Sequence, residues 1–376
     1  MKNIALFCDG TWQSLGQPFP TNVSRLARCV AAREAQSSIP QIVYYDEGVG
    51  VGEGVVNGIV RLIGGATGAG LDDKIIHAYR FICLNYEPGD RIFIFGFSRG
   101  AYTARSLSGM LRKLWILRRD QLDYVDDALN LYRNAYLDQQ VTDKFKGDHC
   151  HVGAPMLAQR APDPSRVMAA AADQNASSVR FVGVWDTVGS LGIPSTLPFA
   201  SLIDKRYQFH DLSLSRFVLS ARHAVSIDER RATFQPTLWN NIEGLNTNAN
   251  AAALPFAERP YQQSWFPGRH SGVGGGQNDG GLSISPLLWI AEGATRAGLA
   301  FDDKLLQEIG KNAKPTAPFV PEALSLSALM LRFVGQADRC GPTDFDEVSA
   351  PARTRWRDCV PNYRPGPLSR FKDRLG

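Results

Sequence analysis

An almost wholly apolar run at residues 91–97 leads directly into Gly96-Phe97-Ser98-Arg99-Gly100, and a helical pattern follows from residue 101. A strand without polar alternation is covered on both faces, as in a parallel sheet between two layers of helices. Two further strand-like runs, 3–8 and 41–45, are each followed by a helical pattern. This alternation predicts an α/β fold, with a mostly parallel central sheet and helices on both of its faces.

Residues 118–178 depart from that pattern, because they are rich in Asp, Arg, Gln and Ala and place three tyrosines at helical spacing. We expect a helical insertion or lid here, within a single domain that spans residues 1–376. Strand character returns at 179–185, so the segment would interrupt the sheet without ending it.

A glycine-rich stretch covers residues 48–70 and predicts a long loop, up to a helix that opens at Asp72-Asp73. Its glycines fit neither the dinucleotide fingerprint nor the Walker motif, so no nucleotide cofactor is expected. The apolar residues of the stretch would suit a lid that touches acyl chains or a bilayer surface. A packed surface loop is the simpler interpretation.

The charge balance argues against nucleic acid as a partner, because a net charge of +4 over 376 residues is mild and the basic residues are scattered. The 6 cysteines include no Cys-x-x-Cys pair, which predicts neither a disulfide framework nor a zinc site. We expect no metal and no other cofactor. No apolar window of about 18 residues suggests a membrane span, and Cys8-Asp9-Gly10 follows the start too closely for a signal peptide. These features predict a soluble protein made in the cytoplasm.

Ser98 is the candidate nucleophile, because it occupies the centre of a Gly-x-Ser-x-Gly pentapeptide between a buried strand and a helix. Such a serine lies on a sharp turn, and larger neighbours would collide across it. The alternative is a Gly-Ser turn that serves only close packing of the strand on the helix. An oxyanion would need two donors. We expect one from the Arg99 amide and another from the Gly10-Thr11 loop after the first strand, although that loop also fits an ordinary turn.

A serine hydroxyl needs an imidazole as base and a carboxylate that orients the imidazole. Two of the six histidines are candidates for the base. His270 lies in a flexible, glycine-rich loop after a strand, and His223 lies in a predicted helix that runs into a charged segment. Asp186 ends the strand that follows the nucleophile strand, so the order Ser98, Asp186, His270 is that of α/β-hydrolases. Asp186 would otherwise cap a turn, and His223 would otherwise be a hydrogen-bonding neighbour of the site. His149, Cys150 and His151 form a small cluster without a second pair of metal ligands.

Six blocks in order resemble the α/β-hydrolase family whose best-known members are the phospholipase effectors of type VI secretion. The blocks are 7–12, 21–23, 45–50, 96–101, 183–189 and 265–276. The resemblance implies a Ser-His-Asp triad at Ser98, His270 and Asp186, an α/β-hydrolase fold, a lipid or other ester substrate, peripheral contact with a membrane, and an immunity or secretion partner. Effectors of the family tend to carry a large C-terminal membrane-interacting portion that this sequence lacks. Export by a type VI system without a signal peptide and a housekeeping or phage-associated role both stay open.

The sequence therefore predicts a serine hydrolase of carboxylic esters, most simply a phospholipase or lipase, that works through an acyl-enzyme. Asp9 and His223 are expected to support the site by hydrogen bonds. Two alternatives stay open. One is a metal-dependent phosphoester hydrolase that uses Asp9, Asp46, Asp186 and Asp279, and the other is a hydrolase-like interaction module without activity.

Overall fold

A computed structural model describes residues 1–10, 16–31, 39–47, 67–134, 136–152, 178–188, 213–319, 335–359 and 361–376. Within these residues the chain forms one six-stranded sheet in the order β2-β1-β3-β4-β5-β6, and every neighbouring pair is parallel. The strands are β1 (Asn3–Cys8), β2 (Gln41–Asp46), β3 (Arg91–Phe97), β4 (Ser178–Trp185), β5 (Ala221–Ser226) and β6 (Tyr261–Phe266). The predicted α/β class with a parallel central sheet is confirmed.

The central strands alternate between the two faces of the sheet, and each face meets its own helices. Ile4 and Ile92 belong to one buried apolar cluster, whereas their neighbours Ala5 and Phe93 belong to another. Because successive side chains of a strand point to opposite faces, a strand can be apolar throughout only when both faces are covered. The apolar sequences of β1 and β3 therefore follow from the two helix layers.

The helices connect and flank the strands. They are α1 (Asn22–Cys29), α2 (Thr67–Asn85), α3 (Arg99–Leu114), α4 (Val125–Arg133), α5 (Gln139–His149), α6 (Ile242–Asn248), α7 (His270–Gly274), α8 (Ile284–Arg296), α9 (Asp303–Gly310), α10 (Ala350–Asp358) and α11 (Lys372–Leu375). Helices α2 and α3 contribute to the cluster of Ile4, and α1 and α8 contribute to the cluster of Ala5. None of the helices in the described ranges is long and apolar enough to cross a membrane.

Three local predictions need correction. The helix predicted to open at Asp72 begins at Thr67, inside the stretch interpreted as a loop. Residues 221–226 around His223 form strand β5 and not a helix, because every one of them is buried in the sheet. His270 is the first residue of the short helix α7, where a flexible loop was expected.

The two predicted lid segments are described only in part. Residues 48–66 and 153–177 lie outside the described residues. Residues 118–134 and 136–152 contain a 3₁₀ turn followed by α4 and α5, and their role as an insertion stays a prediction. A lid role for either segment, and a single domain over the whole chain, stay predictions.

The C-terminal part of the chain packs along the last strand of the sheet. Val348 forms a parallel bridge with Trp265 of β6, and the Ser349 amide donates to the Trp265 carbonyl at 3.1 Å. Trp356 and Leu368 join Trp265 in a third apolar cluster. The edge of the sheet at β6 is thereby covered.

Candidate active site

The site lies where the strand order reverses. The chain starts in β1, moves to β2 at one side, and then returns past β1 to β3. In open α/β sheets, loops at the carboxyl ends of the strands diverge at such a point and leave a crevice. Ser98 follows β3 at this edge, and Asp9 and Gly10 follow β1 beside it.

Ser98 occupies a strained turn between β3 and α3, with φ of 58° and ψ of −121°. The turn is possible because its glycines allow close approach of the backbone. A Cβ on Gly96 would lie 2.3 Å from the Gly100 carbonyl oxygen, and a Cβ on Gly100 would lie 2.1 Å from that of Cys8. The Ser98 amide donates to the Trp185 carbonyl at 3.1 Å, which ties the turn to the end of β4.

The predicted nucleophile, base and acid come together in one chain of hydrogen bonds. The Oγ of Ser98 lies 2.8 Å from Nε2 of His270, and Nδ1 of His270 lies 2.6 Å from Oδ2 of Asp186. Because the carboxylate accepts a hydrogen bond from Nδ1–H, Nε2 carries no proton and can accept a hydrogen bond from the serine hydroxyl. Only 8% of Ser98 and 6% of His270 are exposed, so the chain of bonds is largely shielded from water.

The loop before His270 is fixed by side chains at the end of β5 and just after it. The hydroxyl of Ser226 donates to the Gly268 carbonyl at 2.6 Å, and Asp228 accepts the Gly268 amide at 2.7 Å. Glu229 accepts the His270 amide at 3.2 Å and is itself held by Arg231 through two bonds of 2.8 Å. The charged segment at 228–231 therefore orients the backbone of the histidine.

Burial sets the ionisation of the site. It lowers the pKa of His270 below the usual 6.5, against the nearby charge of Asp186, which raises it. Burial would raise the pKa of Asp186, but the guanidinium of Arg339 and the bond to His270 outweigh it and hold that pKa well below its usual range. At neutral pH the pair is thus a neutral imidazole beside an ionised carboxylate, which is the state that a general base requires.

Gly10 approaches Ser98 but uses its amide elsewhere. A Cβ on Gly10 would lie 3.4 Å from the Cβ of Ser98, so the two backbones are adjacent. The Gly10 amide donates to Oδ1 of Asp9 at 2.7 Å, so the expected oxyanion donor already has an acceptor. Thr11 lies outside the described residues. Arg99 is the first residue of α3, and the first-turn amides of a helix point out of its N-terminal end, toward the crevice.

Asp9 and His223 lie outside the three-residue chain and make hydrogen bonds of their own. Oδ2 of Asp9 accepts the hydroxyls of Thr21 and Tyr45, both at 2.6 Å, and burial raises the pKa of Asp9 to about 6. His223 accepts the Thr187 amide on Nε2 at 3.2 Å and lies 3.0 Å from Oε1 of Gln263 through Nδ1. Burial lowers its pKa to about 3. His223 therefore holds the residue after Asp186 and is not placed to act as the base.

The four aspartates of the metal alternative do not gather. Among the described residues, no group of three or more His, Cys, Asp or Glu side chains is arranged to hold a metal ion. Asp46 is paired with Lys74 at 2.6 Å, and Asp279 accepts the Gly281 amide at 2.8 Å. His149 lies 2.7 Å from the side-chain oxygen of Gln121 and takes no part in the site.

Arg339 is a residue of the site that the sequence did not predict. It lies 153 residues from Asp186 and reaches both carboxylate oxygens, at 2.6 and 3.0 Å. No local pattern marks it among the basic residues of the C-terminal part, because its partner is brought to it only by the fold.

Two solved structures and one curated protein similar to this chain are larger than it. One is an uncharacterized protein from Pseudomonas aeruginosa, 19% identical with a TM-score of 0.43, where the match covers 83% of this chain and 49% of that one. Another is the Tle1 effector solved bound to the VgrG spike of the type 6 secretion system, 18% identical with a TM-score of 0.38 over 73% and 51% of the two chains. The uncharacterized protein YEL023C of Saccharomyces cerevisiae is 33% identical over 245 residues, 62% of this chain and 32% of that protein. The chain thus spans about half or less of these relatives.

A family model describes most of the chain. Residues 2–293 match the model of the catalytic domain of Tle1-like phospholipase effectors of type VI secretion systems. This range contains β1 to β6 and all three residues of the Ser98–His270–Asp186 chain. The chain belongs to the Tle1-like phospholipase effector family of type VI secretion, by its catalytic domain.

Proposed function

We propose that the protein hydrolyses the carboxylic ester bonds of phospholipids with Ser98 as nucleophile, His270 as general base and Asp186 as the residue that orients the imidazole. The observation that carries the proposal is the unbroken series of hydrogen bonds from Ser98 Oγ through His270 to Asp186, at 2.8 and 2.6 Å. Family membership supports the phospholipid as substrate class.

The reaction has two halves. Ser98 attacks the ester carbonyl while Nε2 of His270 takes the hydroxyl proton, and the protonated imidazole then passes that proton to the leaving alcohol. The product of this half is an acyl-enzyme on Ser98. A water molecule then attacks the acyl carbonyl while Nε2 of His270 takes its proton. The bond to Ser98 Oγ breaks, the imidazolium returns the proton to Oγ, and the fatty acid leaves. Asp186 keeps Nδ1 protonated throughout and stabilises the imidazolium that forms in each half.

The negative oxygen of each tetrahedral intermediate needs donors close to Ser98. We assign one to the Arg99 amide, at the positive end of the 16-residue helix α3. The backbone of Thr11 is the second candidate, because its neighbour Gly10 runs beside Ser98. The carboxylate of Asp9 would hold that loop through the Gly10 amide.

The decisive experiment compares Ser98→Ala with the wild type on phospholipid vesicles and on short and long acyl esters. We expect Ser98→Ala to lose activity by about 10⁶-fold, because the residual rate comes from binding and the oxyanion donors alone. Ser106→Ala, a buried serine in the same helix region, is the matched control and should stay active. A fluorophosphonate probe should label the wild type and Ser106→Ala but not Ser98→Ala. An active Ser98→Ala variant would refute the mechanism, and a folded wild type that resists the probe would favour an interaction module.

Export is a separate part of the proposal. Family membership supports delivery by a type VI apparatus and contact with a lipid surface or an immunity protein. Its test is detection of the protein outside wild-type cells and its retention in cells that lack the apparatus. Equal amounts outside both would contradict this route.

A further inference from the structure

Arg339 and Asp186 form a fully buried pair at the centre of the candidate site. Neither side chain is exposed to solvent. Nη1 of Arg339 donates to Oδ1 of Asp186 at 2.6 Å and to the Ser226 carbonyl at 2.9 Å. Nη2 donates to Oδ2 at 3.0 Å and to the Phe234 carbonyl at 2.5 Å. A planar guanidinium that grips both oxygens fixes the plane of the carboxylate as well as its position.

The remaining contacts of Asp186 show how completely its orientation is defined. Oδ1 also accepts the Ser226 amide at 2.8 Å, and Oδ2 also accepts Nδ1 of His270 at 2.6 Å. Each oxygen therefore has one bond from Arg339 and one other. Removal of Arg339 would leave each oxygen with one hydrogen bond, from the Ser226 amide and from the imidazole, so the carboxylate would be held less rigidly.

The arginine arrives from a part of the chain that lies beyond the family match, which ends at residue 293. Two attachments place it. The Ala337 amide donates to the Arg230 carbonyl at 2.9 Å, just before Arg339, and the Ser349 amide donates to Trp265 in β6 after it. The segment between these attachments crosses the carboxyl ends of β4 to β6 and delivers the guanidinium to Asp186.

We propose that Arg339 is a positioning residue for the reaction, which locks Asp186 against His270 and offsets the carboxylate charge that the imidazole feels. The inference rests on the proposed function, because it assigns Arg339 a role in the same site. A carboxylate stabilises imidazolium, so a carboxylate without its arginine would make His270 hold its proton more tightly. Arg339 thereby keeps the base unprotonated at lower pH.

Other charges face His270, but each acts differently. Glu229 bonds the His270 backbone amide, and Arg231 pairs with Glu229 in two bonds, so their charges largely cancel. His223 is neutral over the relevant range, because burial lowers its pKa to about 3. Of the charged groups near the imidazole in the described residues, Asp186 touches Nδ1 directly, and Arg339 touches Asp186.

The test uses Arg339→Gln and Arg339→Lys with the pH profile of kcat/KM. We expect Arg339→Gln to lower kcat/KM by about 100-fold, because a misplaced catalytic group costs that order. The acid limb of its pH profile should move about 1 pH unit upward. The reason is that the loss of the Arg339 charge leaves the negative charge of Asp186 uncompensated, which raises the pKa of His270. Arg339→Lys keeps the positive charge but loses the bidentate hydrogen bonds to the two oxygens of Asp186. It should leave the acid limb within about 0.3 pH units of the wild type and lower kcat about 10-fold.

Arg355→Gln is the matched control, because Arg355 is another buried arginine of the C-terminal part. It donates to the carbonyls of Pro315 and Ala317, at 2.8 and 2.7 Å, and these bonds involve none of Ser98, His270 and Asp186. We expect it to destabilise the fold without moving the acid limb. If Arg339→Gln does no more than Arg355→Gln, Arg339 is structural and the inference is wrong. If Arg339→Gln does not fold, Arg339→Lys decides, since an unchanged kcat in that variant would also overturn the inference.

One measurement separates this inference from the proposed function. The His270 pKa can be followed by NMR in folded wild type and Arg339→Gln without any turnover, and it should rise in the variant. An unchanged His270 pKa beside an inactive Ser98→Ala variant would refute only the role of Arg339. An active Ser98→Ala variant would refute the proposed function, whatever the NMR titration shows.

Discussion

Two pairs of strands in this sheet are equally buried but have opposite compositions. Every residue of β1, β3, β5 and β6 is buried. The apolar pair, β1 and β3, buries mainly aliphatic and phenylalanine side chains. The polar pair, β5 and β6, buries Arg222, His223, Gln262, Gln263 and Ser264. The nucleophile follows β3 of the apolar pair and the base follows β6 of the polar pair. The acid follows β4, between the two pairs, and accepts a hydrogen bond from the Ser226 amide at the end of β5.

The polar pair tolerates burial because its side chains are hydrogen-bonded. Arg222 donates to the Trp289 carbonyl and to Glu292, and Gln262 donates to the Arg259 carbonyl at 2.6 Å. His223 and Gln263 bond each other at 3.0 Å. A buried polar group is costly only when it lacks a partner. The comparison teaches that this molecule uses apolar packing to support the serine and a hydrogen-bonded network to orient its acid and base.

Among the changes that test this comparison, the largest expected effect comes from the acid, which the Ser226 amide of β5 helps to hold. Asp186→Asn should lower kcat/KM about 10⁴-fold, because the amide can favour the wrong tautomer of His270. Steady-state hydrolysis of a phospholipid ester measures the loss, and circular dichroism measures the folded fraction.

Asp90→Asn provides the control on the apolar side. Asp90 is a fully buried carboxylate before β3 that pairs with Lys2. It lies at the opposite edge of the sheet from the site, so its substitution should reduce stability with little change in kcat/KM. A comparable loss of activity in both variants would mean that Asp186 acts only through the fold.

The next effect concerns stability. Phe95 stacks on Phe7 with ring centroids 4.6 Å apart, and neither side chain is exposed. Phe95→Ala should lower the free energy of unfolding by about 3–5 kcal/mol, because it deletes transfer energy and leaves a cavity. Gln263→Ala in the polar pair should cost about 1–3 kcal/mol, through the unpaired donors of His223 and Trp239. Urea denaturation ranks the two, and the reverse order would contradict the distinction between the pairs.

The smallest effect is the response of the polar pair to acid. His223 has a folded-state pKa of about 3, below its unfolded value of about 6.5. Its contribution to stability is therefore complete above pH 6.5 and is lost as the pH falls from 6.5 toward 3. Between pH 7.5 and pH 5 the loss should be about 2 kcal/mol. Urea denaturation of wild type and His223→Gln at both pH values isolates this contribution.

The stability of wild type must be compared with that of His223→Gln, because other buried groups change the stability with pH in the opposite direction. Burial raises the pKa of Asp9 and of Asp228 to about 6, so their contributions are present in acid and are lost as the pH rises through that value. Both residues are unchanged in His223→Gln. A stability difference between wild type and variant that does not vary with pH would show that His223 titrates normally in the folded protein.

The apolar side of the molecule could be predicted from the sequence, and much of the polar side could not. The continuous apolar run before Ser98 indicated a covered strand, and the glycines on either side of Ser98 indicated a tight turn. His223 was placed in a helix because β5 lacks an apolar pattern, and its partners come from distant residues such as Gln263. A polar strand that is buried through tertiary hydrogen bonds cannot be predicted from local sequence propensity.

At the site, too, what depends on chain order could be predicted, and what depends on competing hydrogen bonds could not. Ser98, Asp186 and His270 were selected by strand ends and chain order, and the structure brings them within hydrogen-bonding distance. Their catalytic roles remain the proposal made above. Gly10 was expected to give its amide to an oxyanion, but the neighbouring carboxylate of Asp9 competes for it. Such local competition between acceptors is not visible in a motif.

The cover that Val348 and Ser349 place over β6 has a practical consequence for anyone who trims this chain. The boundary suggested by similarity, residue 293, falls ahead of that cover. A fragment that ends there would expose the backbone of the edge strand β6 and the indole of Trp265. Exposed edge strands pair with other molecules and promote aggregation. We therefore expect a fragment of residues 1–293 to associate through this edge, and one that keeps Val348 and Ser349 to retain its cover.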